Sequence, residues 1–316
     1  MVARPLGFGR VAWWREAAWM RRVLQGAVVV GVLLVAHLAT SLVLLARVPE
    51  VSLERIQRPP GKAGTLLVCG GGRLPESVRA RFVQLAGGPA ARIVVIPTAG
   101  EWSDRPGVEH AADSWRALGV RSARVLHTRN RAVADSPAFV AALREATGVW
   151  IGGGHQTRLA DAYGGTAVET ALHDLLARGG VVGGTSAGAG IMSRLMIVKG
   201  RGEAVVSRGF GLVSDVVIDQ HFLRRNRVRR LLGVLATHPG HVGLGVDEAT
   251  ALEVDLGTRR LRAIGESYAV ACVPASPGGV EPPSIEVLKP GDEADLAALR
   301  AGSPNAVLSA IEVDGL

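Results

Sequence analysis

Five short apolar runs, each separated from the next by a stretch of helical composition, constrain this chain more than any other feature of its sequence. The runs lie at 65–69 (TLLVC), 92–97 (RIVVIP), 123–127 (ARVLH), 148–151 (GVWI) and 180–183 (GVVG), with helical stretches at 75–86, 107–118, 137–146 and 166–178. Strands of about five residues alternating with helices of ten or more predict parallel β–α–β units joined by right-handed crossovers. The predicted fold class is therefore α/β, a three-layer α/β/α sandwich around a mostly parallel sheet. In such sheets the ligand site lies at the carboxyl ends of the strands. Those ends read CGGGR, PTAGEWS, GGGHQ and GGTSAG. Three of the four are glycine-rich, which lets backbone amides approach a ligand closely. Beyond residue 200 the pattern changes to shorter strands at 216–219, 243–246, 250–254 and 268–273, an arginine-rich helix over 222–236, a last strand at 284–288 and a helical segment near 292–300.

The chain of 316 residues divides into four parts: a basic segment 1–22, an uncharged apolar run 23–46, a linker 47–63 with three prolines, and a domain over 64–316. At about 1.5 Å per residue the apolar run reaches about 36 Å as a helix, against a hydrocarbon core of about 30 Å. It reads as a retained single transmembrane anchor preceding the domain. A cleaved secretory signal is the alternative, although signals have apolar stretches of only about 7–15 residues and LARVPE is a poor cleavage site. Arginines on the N-terminal side favour an inward N-terminus and an extracytoplasmic domain. The net charge is +8, but residues 1–22 carry five arginines against Glu16, or +4 of it. The remaining +4 is too thinly spread for a nucleic-acid surface. Cys69 and Cys272, each inside an apolar strand-like run, read as buried free thiols; a disulfide stays open for an exported domain. Neither spacing suggests a metal site, and no cofactor is expected. The pair His238 and His241 in HPGH reads as loop histidines, since no third ligand accompanies it.

Gly184-Thr185-Ser186-Ala187-Gly188 fits G-x-S-x-G between a strand and a helix starting near residue 187. That is the context of a nucleophile elbow, a strained turn that exposes a serine at the sheet's end. The other reading is a glycine-rich phosphate-binding turn in which Ser186 only donates a hydrogen bond. A nucleophilic serine needs a base. Of the eight histidines, His221 stands out: it ends VVIDQHF beside Asp219 and Gln220 and precedes LRRNRVRR. Glu248, in GLGVDEATALEV at another strand end, could orient it.

The segments IVVIPTA, GGGHQTRL, GGTSAGA, DQHFLRRNR and GVDEATAL, in this order over roughly residues 64–290, closely resemble the peptidase E/cyanophycinase family of serine peptidases. The resemblance implies Ser186 as nucleophile, His221 as base and Glu248 as the acid that orients it. It implies an oxyanion hole from Gly153, Gly154 and the amide of Ala187, and a substrate pocket lined by Gln156, Asp219, Gln220, Arg225 and Arg227. His155 departs from the family's usual aspartate or asparagine in the G-G-D/N-Q turn, which bears on the charge of the pocket. The implied substrate is a peptide bond adjacent to aspartate, as in α-aspartyl dipeptides or the β-linked Asp-Arg units of cyanophycin, and D-Q-H-F-x-x-R-x-R looks more like cyanophycinase than like the dipeptidase. A homodimer is compatible with the sequence. Two other readings stand beside this one: an α/β-hydrolase esterase, which would place its histidine later in the chain, and a membrane-tethered ligand-binding domain without activity.

Overall fold

The computed structural model describes residues 63–273, 283–301 and 306–308. Five strands, β1 (Thr65–Cys69), β2 (Arg92–Ile96), β3 (Ser122–Val125), β4 (Gly148–Ile151) and β5 (Val181–Thr185), run parallel in the spatial order β1-β5-β4-β2-β3. A parallel strand covered on both faces has no polar side to alternate with, so it reads as a continuous apolar run. Accordingly β4 is buried at every position and β1 from Leu66 to Cys69. The connecting helices are α1 (Glu76–Leu85), α2 (Asp113–Arg116), α3 (Arg131–Ala134), α4 (Ala141–Glu145), α5 (Gln156–Tyr163) and α6 (Ala167–Ala177). On one face of the sheet, Val78 and Phe82 of α1 pack with Trp115 and Trp150, whose ring centroids lie 4.8 Å apart. On the other, Leu143, Leu159, Tyr163, Leu172 and Leu175 of α4, α5 and α6 fill the larger core.

Beyond β1 the sheet continues with antiparallel strands: β10 (Thr250–Asp255), β11 (Arg260–Gly265), β14 (Glu293–Asp295) and β15 (Val307–Leu308). A second sheet of order β13-β12-β9-β8 is built from β8 (Val216–Gln220), β9 (Val242–Val246), β12 (Ala269–Val273) and β13 (Ser284–Leu288). Its inner residues Val216, Ile218, Leu244 and Ala271 share the larger core with Leu252 and Val254 of β10. Helix α8 (Val228–Thr237) covers its outer face, where Leu231, Val234 and Leu235 meet Val217, Val270 and Cys272. A hairpin of β6 (Leu195–Lys199) and β7 (Val205–Arg208), the one-turn helix α7 (Ala187–Gly190) and the short α9 (Leu296–Arg300) complete the described elements.

The sandwich expected from the sequence is present, but the preceding transmembrane helix is corrected. Among the described residues no helix is long and apolar enough to cross a membrane. The longest, α6, has 11 residues, about 16 Å of rise against the roughly 30 Å required. Residues 1–22, the run 23–46 and the linker up to 62 lie outside the described residues. Cys69 and Cys272 are both buried free thiols, and burial pushes the Cys272 thiol up to about 12.

Candidate active site

The turn at Ser186 is fixed by backbone before any side chain takes part. Ser186 joins β5 to α7 with φ 53 and ψ −112. A non-glycine residue in such a conformation costs on the order of 1–3 kcal/mol, so the surroundings must over-determine it. Here the Ser186 amide donates to the Cys69 carbonyl at 3.0 Å, and the Ser186 carbonyl accepts from Ala189 and Gly190 at 3.0 and 2.9 Å. A Cβ at Gly188 would collide with the Ile151 carbonyl, which is why the turn tolerates no side chain there.

His221 leaves the end of β8 with φ 51, its amide donating to the Gly70 carbonyl at 2.8 Å. Nε2 of its imidazole lies 2.8 Å from Ser186 Oγ, and Nδ1 lies 2.6 Å from Glu248 Oε1. An ionised carboxylate only accepts, so Nδ1–H donates to Glu248 and Nε2 is left to accept from the serine hydroxyl. Glu248 sits between β9 and β10, and the next residue, Ala249, donates its amide to the Gly71 carbonyl at 3.0 Å. The glycine run after β1 therefore grips both the imidazole and the carboxylate segment. A Cβ at Gly71 (φ 117) would lie 2.6 Å from His221 Nε2, and one at Gly72 3.0 Å from Glu248 Cβ. Burial holds the His221 imidazole below its usual pKa; the hydrogen bond from Nδ1 to Glu248 opposes this, and the nearby charges of Arg225 and Arg227 add to the lowering. Neutral imidazole, the form able to accept a proton, is thus favoured.

The other sequence-derived residues fall into distinct surroundings. A Cβ on Gly153 would sit 3.5 Å from Ser186 Cβ, which places this residue beside the serine, and Gly154 (φ 139) passes so close to the Ala99 carbonyl that any side chain would clash. Ala187 opens α7, so its amide has no carbonyl four residues back to bond. Among the described residues the amides of Gly153 and Gly154 likewise have no acceptor. Gln156 is buried, and its Nε2 donates to the carbonyls of Ile197 and Val198 at 2.7 and 3.2 Å, fastening α5 to β6. His155 is exposed, with its amide donating to the Ala99 carbonyl at 2.9 Å.

Asp219 is 0% exposed and ion-paired with Arg230, which is itself 4% exposed. Arg230 Nε donates to Asp219 Oδ2 at 2.9 Å, while Arg227 reaches Oδ1 at 3.3 Å and the Gln220 carbonyl at 2.5 Å. These bonds brace the strand end that carries His221. Gln220 Oε1 is buried with no hydrogen-bond partner among the described residues, and a Cβ on Gly190 of α7 would lie 3.6 Å from its Nε2. Arg225 is exposed on the turn before α8. Two participants were not legible as such in the sequence: Gly70–Gly72, read as a place for a ligand, and Arg230, hidden in an arginine-rich helix. The pairing of Arg230 with Asp219, 11 residues apart, is tertiary and had no local signal. No group of three or more potential metal-ligating side chains occurs among the described residues.

Comparison with known proteins bears on the family of this chain. The family model described as Peptidase family S51 matches residues 66–261. A cyanophycinase of Synechococcus elongatus is 35% identical over 234 residues, covering 68% of this chain and 71% of the relative. A cyanophycinase of a Nostoc strain is 33% identical over 213 residues, covering 63% and 70%. The crystal structure of a peptidase from an acI-B1 Actinobacterium superposes with a TM-score of 0.56 at 23% identity, covering 74% of this chain and 97% of that one, which speaks for a shared fold. A family model spanning more than half the sequence, together with the cyanophycinase relatives, shows that this chain belongs to peptidase family S51 and is a serine hydrolase of the peptidase class.

Proposed function

We propose that the chain hydrolyses peptide bonds adjacent to aspartate, in the manner of a cyanophycinase, through Ser186, His221 and Glu248. The observation that carries the reading is the pair of contacts on one imidazole, 2.8 Å to Ser186 Oγ and 2.6 Å to Glu248 Oε1. As Ser186 Oγ attacks the carbonyl carbon, its proton passes to His221 Nε2, and Glu248 stabilises the resulting imidazolium. The amides of Ala187 and the Gly153-Gly154 turn take the oxyanion; each such donor is worth about 3–4 kcal/mol of the barrier. The tetrahedral adduct collapses as His221 returns the proton to the departing amine, leaving an ester on Ser186. Water then attacks the ester, giving its proton to His221, and the carboxylic acid leaves as the serine is reprotonated.

The preference for aspartate rests on the exposed Arg225, whose charge lies near His221, and on the cyanophycinase relatives. Guanidinium groups bind carboxylates in bidentate fashion. Aspartyl dipeptides are the second substrate class, and the exposed His155, where the family's usual residue is aspartate or asparagine, alters the charge at the turn beside Ser186. Incubation of the purified protein with cyanophycin, α-aspartyl and β-aspartyl dipeptides, followed by product mass analysis, separates the two. Release of β-Asp-Arg dipeptide from the polymer supports the first; cleavage of the α-linked dipeptides alone supports the second; products from none of the three refute both.

A further inference from the structure

A cavity of about 440 Å³ opens beside the elbow on the α1 face of the sheet, away from the second sheet that delivers His221. Its rim is formed by residues adjoining the site already described: Gly72 against Glu248, Gly152 before Gly153, and Thr185 before Ser186. Its interior is apolar where Trp115, Trp150 and Leu74 line it, and cationic where Arg79 enters from α1. The Nε of Arg79 is shielded from solvent and has no hydrogen-bond partner among the described residues. Buried polar groups in native proteins are nearly always paired, so an orphaned guanidinium nitrogen beside a cavity is a donor that a turn of the Arg79 side chain can offer to an acceptor bound there. Side-on contact through Nε and a terminal nitrogen is one of the two ways in which arginine holds a carboxylate. A volume of this size is in the range of small-ligand sites, which run from about 300 to 1,000 Å³.

We propose that this cavity is a substrate subsite in which Arg79 binds a carboxylate of the residue flanking the scissile bond, with the apolar stem of that residue lying against Trp115 and Trp150. The proposal deepens the peptidase reading and rests on it. It adds a second reader of negative charge to the exposed Arg225. The carboxylate has two sources in a short aspartyl peptide, the aspartate side chain and the chain terminus.

Binding is measured by calorimetry on the Ser186→Ala protein, which needs no turnover, with α-Asp-Leu, its C-terminal amide and Asn-Leu as ligands. Arg79→Gln in that background weakens α-Asp-Leu binding about 10-fold or more, the range for losing a charge-assisted pair. If the amide is indifferent to Arg79→Gln, the terminal carboxylate is the group bound; if Asn-Leu is indifferent, the side chain is. Ser114→Trp, which plugs the cavity from its wall and leaves Arg79 in place, weakens all three ligands and serves as the second reading should Arg79→Gln fail to fold. Equal loss for all three ligands in Arg79→Gln, no loss in either variant, or no binding of α-Asp-Leu with Arg79 intact overturns the proposal. Failure of the peptidase reading shows up separately, as an absence of products from the unmodified protein.

Discussion

Replacing Gly71 by alanine tests whether the glycine run after β1 sets the catalytic geometry or merely turns the chain. The added Cβ would lie 2.6 Å from His221 Nε2, whereas ordinary carbon contacts begin near 3.5 Å. The imidazole therefore has to retreat by roughly 1 Å, and the 2.8 Å bond to Ser186 stretches beyond hydrogen-bonding range. A misplacement of about 1 Å at a reacting group costs on the order of 10²-fold in rate. The backbone adds its own effect, since φ 117 is a conformation that alanine rarely adopts and costs about 1–3 kcal/mol of stability. That is well inside the roughly 5–15 kcal/mol by which such domains are stable, so the variant folds. The assay is kcat/KM on an aspartyl peptide beside the rate of fluorophosphonate labelling and a denaturant melt. A fall in turnover and labelling of about 100-fold with a modest loss of stability is expected. Turnover and labelling within twofold of the parent protein would refute the reasoning, because the imidazole would then have room that the backbone denies it.

Two further outcomes follow from the same geometry. Burial and the neighbouring arginines hold His221 below its usual pKa while Glu248 raises it, so the acid limb of kcat/KM has its midpoint below the ordinary histidine value of about 6.5; Glu248→Gln moves it lower still and reduces kcat/KM by up to about 10⁴-fold. An acid limb displaced upward in that variant would contradict the assignment of Glu248. Asp219→Ala strands Arg230 in the interior without its partner, and removing one member of a buried ion pair costs about 3–5 kcal/mol; denaturant unfolding showing less than about 1 kcal/mol would mean that the pair is not structural.

The parallel half of the sheet could be read in the sequence because its strands are covered on both faces and so appear as unbroken apolar runs. The observed β1 and β4 coincide with the expected 65–69 and 148–151, and β10 exceeds the expected 250–254 by one residue. What failed was local or long-range. Helix α5 starts directly after a glycine turn with no side-chain cap at His155, so no boundary signal announced it. The arginine-rich helix begins at Val228 rather than at 222, because Asn226 takes φ 48 and Arg227 folds back onto the Gln220 carbonyl. The structure brings together Ser186 and His221, the two residues that spacing and resemblance single out; the support given them by Gly70–Gly72 was not legible. A glycine that makes room for a ligand and one that makes room for an imidazole from another sheet look the same in one dimension. Asp219, expected to line the pocket, is held by Arg227 and Arg230, 8 and 11 residues further along, a partnership set by α8 folding back over the second sheet.

Mass analysis of the fluorophosphonate-treated protein is the most direct test of the whole account. A single phosphonyl adduct on the peptide containing Ser186, absent from Ser186→Ala and formed at least about 100-fold more slowly in His221→Ala, is the predicted result. An unlabelled Ser186, or labelling at an undiminished rate without His221, would contradict it.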